Sequence, residues 1–194
     1  MNEQPSLEEL NALARRARRE IVVAVAHAKG GHVGGPLSAV DLLTALYFRV
    51  LCIRPDEPDW PERDRFILSK GHCSIALYAV LALRGYFPVE ELTSFDAIDS
   101  RLQGHPDMMA LPGLDMSTGS LGLGLGAGVG IALGAKLSGQ QFTTFVMVGD
   151  GASDLETRPA VDLFVGFGGF VARERIRREA AAFVTSLASV PALV

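Results

Sequence analysis

Five short stretches of this chain carry side chains and turns suited to chemistry. They are Gly31-His32-Val33-Gly34-Gly35-Pro36-Leu37-Ser38, Leu68-Ser69-Lys70-Gly71-His72, Gly104-His105-Pro106, Ser117-Thr118-Gly119-Ser120-Leu121-Gly122 and Gly149-Asp150-Gly151. Imidazoles donate and accept hydrogen bonds and exchange protons near neutral pH, so His32, His72 and His105 suit a ligand with phosphate, carbonyl or hydroxyl oxygens. The glycines around them let backbone approach such a ligand closely. Asp150 follows an apolar run and offers hard carboxylate oxygens of the kind that hold magnesium or calcium. Taken singly, a histidine is more commonly a hydrogen-bonded structural residue, and Gly-Asp-Gly a simple turn. His27, on an amphipathic helix, is read as structural.

These stretches need elements to hold them. Ser6 and Glu9 form a capping-box pattern, and Leu10, Leu13, Ala14, Ala17, Ile21 and Val25 recur behind it at helical spacing, predicting a helix that ends near Lys29. An irregular glycine loop carries His32. Ser38 and Asp41 then repeat the cap signal ahead of a second helix reaching about Leu51. Pro55, Pro58 and Pro61 mark a surface connection into a strand over 65–68, so 69–72 lies at a strand's carboxyl end. A helical pattern over 75–83 stops at Gly85, a short helix follows over 90–95, and 101–119 reads as a loop. Residues 121–137 form a helix rich in glycine, which calls for close backbone packing or a ligand at its N-terminus. Residues 142–148 read as a strand ending just before Asp150, the usual ligand edge of an open parallel sheet.

Composition bounds the function. A chain of 194 residues, 48% hydrophobic and 21% charged, has the profile of a folded globular protein. A net charge of −4 gives no reason to expect nucleic acid. Arg15, Arg16, Arg18 and Arg19 are too short a run to change that and read as a solvated helix face. Cys52 and Cys73 suit neither a disulfide framework nor a zinc site, which favours a reducing compartment. With neither a signal peptide nor a membrane span evident, a cytoplasmic protein is expected.

The stretches at 31–38, 68–72, 104–106 and 117–122, in that order and with similar text such as Leu42-Leu43-Thr44-Ala45-Leu46-Tyr47-Phe48 between them, resemble the N-terminal subunit or section of a transketolase from about Ala24 to Gly151. The resemblance implies an α/β fold: a three-layer thiamine diphosphate-binding module with a mainly parallel sheet. It implies thiamine diphosphate and a divalent metal, Mg2+ or Ca2+, as cofactors. His72, Gly119, Leu121, Asp150 and Gly151 would meet the cofactor, with Asp150 binding the metal. His32 and His105 would face a phosphorylated ketose or aldose. The glutamate that activates the aminopyrimidine belongs to a second module, so activity is expected only with a C-terminal transketolase subunit, in a homo- or hetero-oligomer.

The pattern breaks after Gly151. Where the family has a glutamate, a Glu-Gly pair and a metal-binding asparagine, this chain has Ala152-Ser153-Asp154-Leu155-Glu156-Thr157-Arg158-Pro159, and no asparagine follows Asn11. The reading is therefore a thiamine diphosphate-binding module over 1–158, its sheet incomplete at the C-terminal end, and a divergent tail over 159–194 with one helix near 170–187. Two other classes stand beside the transketolase subunit. One is a non-catalytic remnant that binds a partner subunit without cofactor. The other is an NAD-dependent dehydrogenase, since Gly122-Leu123-Gly124-Leu125-Gly126-Ala127 fits a loose dinucleotide pattern that lacks its preceding strand.

Overall fold

The computed structural model describes residues 4–147, 149, 158–159, 161–167, 172–186 and 189. Its first helix, α1 (Leu7–Ala28), opens on a complete capping box: the Ser6 N–H donates to Glu9 Oε2 at 2.7 Å, and Glu9 N–H to Ser6 Oγ at 3.3 Å. Leu10, Ala14, Ala17, Ile21 and Ala24, alternately four and three residues apart, form its buried stripe. Lys29 ends it in a left-handed conformation, φ 56°.

The second helix, α2 (Gly34–Ala45), begins four residues before the cap pattern at Ser38 and Asp41. Pro36 fits there because the first helical N–H groups lack intrahelical partners. Neither presumed cap residue acts as one. Ser38 Oγ donates to the Gly35 carbonyl, and Asp41 is buried in an ion pair with Arg18. Arg15, Arg16 and Arg19 are solvated as expected, but Arg18 ties α1 to α2. The chain continues as a π-helical turn over Leu46–Val50, where the Leu51 N–H reaches back to Leu46 O at 2.8 Å. Arg84 Nε donates to the Tyr47 carbonyl at 3.0 Å, and the Tyr47 ring meets Phe66 edge-on at 5.5 Å between centroids.

Strand β1 (Arg65–Leu68) leads through a 3-10 turn, Gly71–Cys73, into α3 (Ser74–Arg84), which Gly85 closes at φ 100°. A 3-10 segment, Val89–Ser94, stands where a short helix was expected. Helix α4 (Leu123–Ser138) begins after left-handed Gly122, two residues later than its composition suggested. Strand β2 (Thr144–Met147) then pairs parallel with β1, Arg65 opposite Thr144 and Leu68 opposite Met147.

Side chains alternate across this pair and create the layers. Phe66, Leu68, Phe145 and Met147 join the core shared with α1, α2 and α3. Ile67 and Val146 face α4, where a Cβ on Gly128 would lie 2.4 Å from Val146 Cγ2. Gly128 is therefore glycine because the helix lies almost on the sheet. Three helices, a parallel strand pair and a fourth helix make an α/β arrangement in three layers.

Beyond it, β3 (Val165–Phe167) pairs parallel with β4 (Ala182–Val184), with α5 (Glu174–Glu179) between them. The expected helix over 170–187 is thus corrected: of its described residues only six are helical, because Ala180 turns extended and Ala182–Val184 is taken into strand pairing. Among the described residues no helix is long and apolar enough to cross a membrane. Cys52 and Cys73 are not joined in a disulfide.

Candidate functional site

Alternate peptide groups of β1 point to opposite edges. Arg65 and Ser69 N–H groups donate toward β2, to the Thr143 and Met147 carbonyls, each at 2.9 Å. On the other edge no strand is paired among the described residues, and side chains of the 115–118 loop take its place. Asp115 Oδ2 accepts from the Phe66 N–H at 2.8 Å, and Thr118 Oγ1 donates to the Leu68 carbonyl at 2.7 Å. The same carboxylate receives both terminal nitrogens of Arg63, at 3.0 and 2.6 Å. Burial works against the Arg63 charge, but the hydrogen bonds and charge of Asp115 outweigh it and raise the guanidinium pKa further. Gly119 is in this way fixed beside the strand end.

At that end the chain turns through Ser69, Lys70, Gly71 and His72. A Cβ on Gly71 would sit 2.4 Å from the Thr118 carbonyl oxygen, so the turn and the 118 loop touch backbone to backbone. Lys70 is buried, 2% exposed, and His72 is half-buried. Ser69 is 1% exposed, and its hydroxyl is buried against Gly124, in the first turn of α4, without a hydrogen-bond partner among the described residues.

The loop bearing His105 is fastened from α3. Ser74 and Tyr78, one helical turn apart, reach up from an otherwise apolar helix. Ser74 Oγ donates to the Gly104 carbonyl at 2.9 Å, and Tyr78 Oη to the Gln103 carbonyl at 3.0 Å. Burial pushes the Tyr78 phenol far above its ordinary pKa, so it stays a neutral donor. From the side, Asp96 Oδ1 accepts the Gly104 N–H at 3.1 Å.

His32, His72 and His105 come together from three separate segments to line one open cleft of about 400 Å³. The His32 and His72 rings meet edge-on at 5.1 Å. Phe95, Asp96, Gln103 and Gly104 complete much of the wall. Gly119 lies beside it, where a Cβ would be 3.6 Å from the His105 ring. Leu121 is not among the lining residues and is 73% exposed. Asp150 and Gly151 lie outside the described residues. His27 bonds its own helix, Nδ1 lying 3.1 Å from the Val23 carbonyl. The sequence pattern did not single out Asp96 or Gln103. The one signal for the loop support was a serine and a tyrosine at i, i+4 in an apolar helix.

A phosphorylated cofactor fits these residues in two respects. The orphaned Ser69 hydroxyl at the head of α4 leaves a buried donor beside a helix N-terminus, where anions are favoured. The backbone contact at Gly71 and Thr118 brings His72 and Gly119 to the same side of the strand end. For a metal, the described residues contain no group of three His, Cys, Asp or Glu side chains that could hold one. The residues before Gly122 are irregular rather than a strand, so the dinucleotide pattern lacks its geometry.

The family described as the transketolase thiamine diphosphate-binding domain matches residues 11–156. The chain belongs to this family. It is 52% identical over 124 residues to the 6-deoxy-6-sulfo-D-fructose transketolase subunit of Clostridium sp. (strain MSTE9), covering 64% of this chain and 45% of that protein. It is 46% identical over 147 residues to an apulose-4-phosphate transketolase subunit of Actinobacillus succinogenes, covering 75% and 53%. The transketolase-family chain thus spans about half the length of these curated relatives. Among solved structures it resembles the transketolase of Campylobacter jejuni, with TM-score 0.72 and 29% identity over 84% of this chain and 28% of that one. A Pichia stipitis transketolase gives TM-score 0.71 and 32% identity, with 84% and 27% covered.

Proposed function

We propose that this chain is the diphosphate-binding part of a transketolase, working with a C-terminal partner subunit to transfer a two-carbon ketol unit from a ketose phosphate to an aldose phosphate. The observation that carries the reading is the convergence of His32, His72 and His105 on one cleft beside the 117–119 loop. Two relatives bear names of transketolase subunits, which supports a partner, and those names specify a sulfonated and a phosphorylated sugar.

His72 and the Gly151 backbone N–H would hold the diphosphate, with the Gly119 and Leu121 backbones beside the cofactor. Asp150 would hold Mg2+ or Ca2+ together with diphosphate oxygens and water, a set magnesium tolerates. Bound thiamine diphosphate supplies a thiazolium carbon able to attack a ketose carbonyl. His32 and His105 would donate hydrogen bonds to the sugar's carbonyl and hydroxyl oxygens and move protons there. Ser74, Tyr78 and Asp96 hold the His105 loop still, which keeps that imidazole in one place.

The test is His105→Ala in the chain reconstituted with a C-terminal transketolase subunit. Because His105 is exposed, the fold is expected to survive. kcat/KM for ketol transfer should fall by about 100-fold or more, the usual scale for a lost proton-transfer group. Unchanged kcat/KM would contradict the reading.

A further inference from the structure

The segments bearing His105 and Gly119 are tied to each other through the hydroxyl of Ser117. Ser117 Oγ accepts the Met108 N–H at 3.0 Å and donates to Asp107 Oδ1 at 3.1 Å. The same carboxylate oxygen accepts the Met109 N–H at 3.0 Å, and the Asp107 carbonyl accepts from Ala110 and Leu111 at 3.2 and 3.3 Å. Asp107 thus opens a tight turn, and the Ser117 hydroxyl sits across its mouth. The hydroxyl uses both a lone pair and its proton, and the charge of the carboxylate strengthens the bond that oxygen accepts. Asp107 lies two residues after His105, and Ser117 two residues before Gly119.

This placement matters because the His105 ring is not held directly. Ser74 and Tyr78 anchor its loop from below, but through backbone carbonyls, Tyr78 Oη also lying 3.3 Å from that of His105. Among the described residues the imidazole itself has no hydrogen-bond partner. Its Cδ2 lies 3.6 Å from where Gly119 would carry a Cβ. Gly119 is fixed in turn through its neighbour Thr118, whose Oγ1 donates to the Leu68 carbonyl at 2.7 Å. Ser117, Asp107 and Met108 are exposed, so the bonds among them add little to the stability of the fold.

We infer that Ser117 is a positioning residue: its hydroxyl clasps the Asp107 turn to the 117–119 segment and so sets the His105 imidazole against Gly119, the substrate side of the cleft in register with the cofactor side. The consequence for catalysis rests on the proposed ketol transfer, whereas the clasp itself can be read without cofactor or sugar. In the full chain, His105 Hδ2 and a Gly119 Hα proton should show a nuclear Overhauser effect, assigned by its loss in His105→Ala. Ser117→Ala and Asp107→Ala should each weaken it several-fold at unchanged helical circular dichroism, and Ser117→Thr, which keeps the hydroxyl, should retain it. Wild-type intensity in either alanine variant, no effect in the wild type, loss in Ser117→Thr, or unfolding of both alanine variants overturns the inference.

Kinetics supply the second readout. With a C-terminal transketolase subunit, kcat for ketol transfer should fall about tenfold in Ser117→Ala while sugar KM and thiamine diphosphate affinity stay within about twofold, since misplacing a proton-transfer group costs mainly in the transition state. An unchanged kcat, or a loss of cofactor affinity as large as the loss of kcat, overturns the positioning role. A wild type that shows the Overhauser effect but transfers no ketol unit sinks the transketolase reading and leaves the clasp standing.

Discussion

Asp115→Ala is expected to destabilise the protein by about 3–5 kcal/mol, the range for removing one partner of a buried ion pair. The Asp115 side chain is 5% exposed and that of Arg63 10%, so the guanidinium left behind would be a buried charge without its counter-ion. Two further losses add to this. The Phe66 N–H loses its acceptor on the unpaired edge of β1, and Arg65, 3.7 Å from the same carboxylate, loses its countercharge. Among the described residues Arg63 Nε is already buried without a partner, which leaves little room for the arginine to find another arrangement. In a chain of this size the loss corresponds to about 10 °C in melting temperature. Thermal and denaturant unfolding of the variant measure it, and a loss under about 1 kcal/mol, the scale of one ordinary hydrogen bond, would show that the loop is held by other means. Asp115→Asn, which retains an oxygen acceptor, should fall between the two.

The second large effect is expected at Gly71. Replacing glycine by alanine in a compatible conformation stabilises by about 0.4–1 kcal/mol through the unfolded chain, whereas overpacking costs about 1–3 kcal/mol. Sterics win here. The added Cβ would lie 2.4 Å from the Thr118 carbonyl oxygen and 2.7 Å from its carbon, and backbone atoms cannot rotate away as a flexible side chain can. Relief requires the 118 loop to lift from β1, which breaks the Thr118 to Leu68 hydrogen bond. That movement carries Gly119 away from His72, so thiamine diphosphate affinity should drop by about tenfold or more while the circular dichroism of the helices persists. Gly130→Ala is the control. Its Cβ would meet nothing within 4 Å on α4, and helix propensity alone should make that variant about 1 kcal/mol more stable. Equal cofactor affinity in Gly71→Ala and wild type would contradict the placement of the site.

Much of the scaffold was legible because its signals are local. The Ser6 and Glu9 box, the stripe on α1, the stop at Gly85 and the strands at 65–68 and 144–147 each depend on residues a few positions apart. The parallel pairing of those strands and the Arg63–Asp115 anchor depend on partners 79 and 52 residues away, which no local pattern encodes. The start of α2 was misread because Ser38 and Asp41 look like caps but serve a helical turn and an ion pair. The helix over 170–187 was overextended because its alanines suit a helix, while pairing with Val165–Phe167 draws Ala182–Val184 into a strand. In the site, the three histidines were found from their glycine-rich settings, and the structure brings them to one cleft. Asp96 and Gln103 were missed because they reach it only through the folding of the 95–105 loop.

Whether this chain holds thiamine diphosphate at the end of β1 is decided by isothermal titration with thiamine diphosphate and magnesium in the presence of a C-terminal transketolase subunit. The wild type should bind saturably, and Asp150→Ala should lose about tenfold or more in affinity, since that carboxylate would be the chain's hard ligand for the metal. A folded chain that forms a complex with the subunit yet binds no thiamine diphosphate would contradict the proposed site.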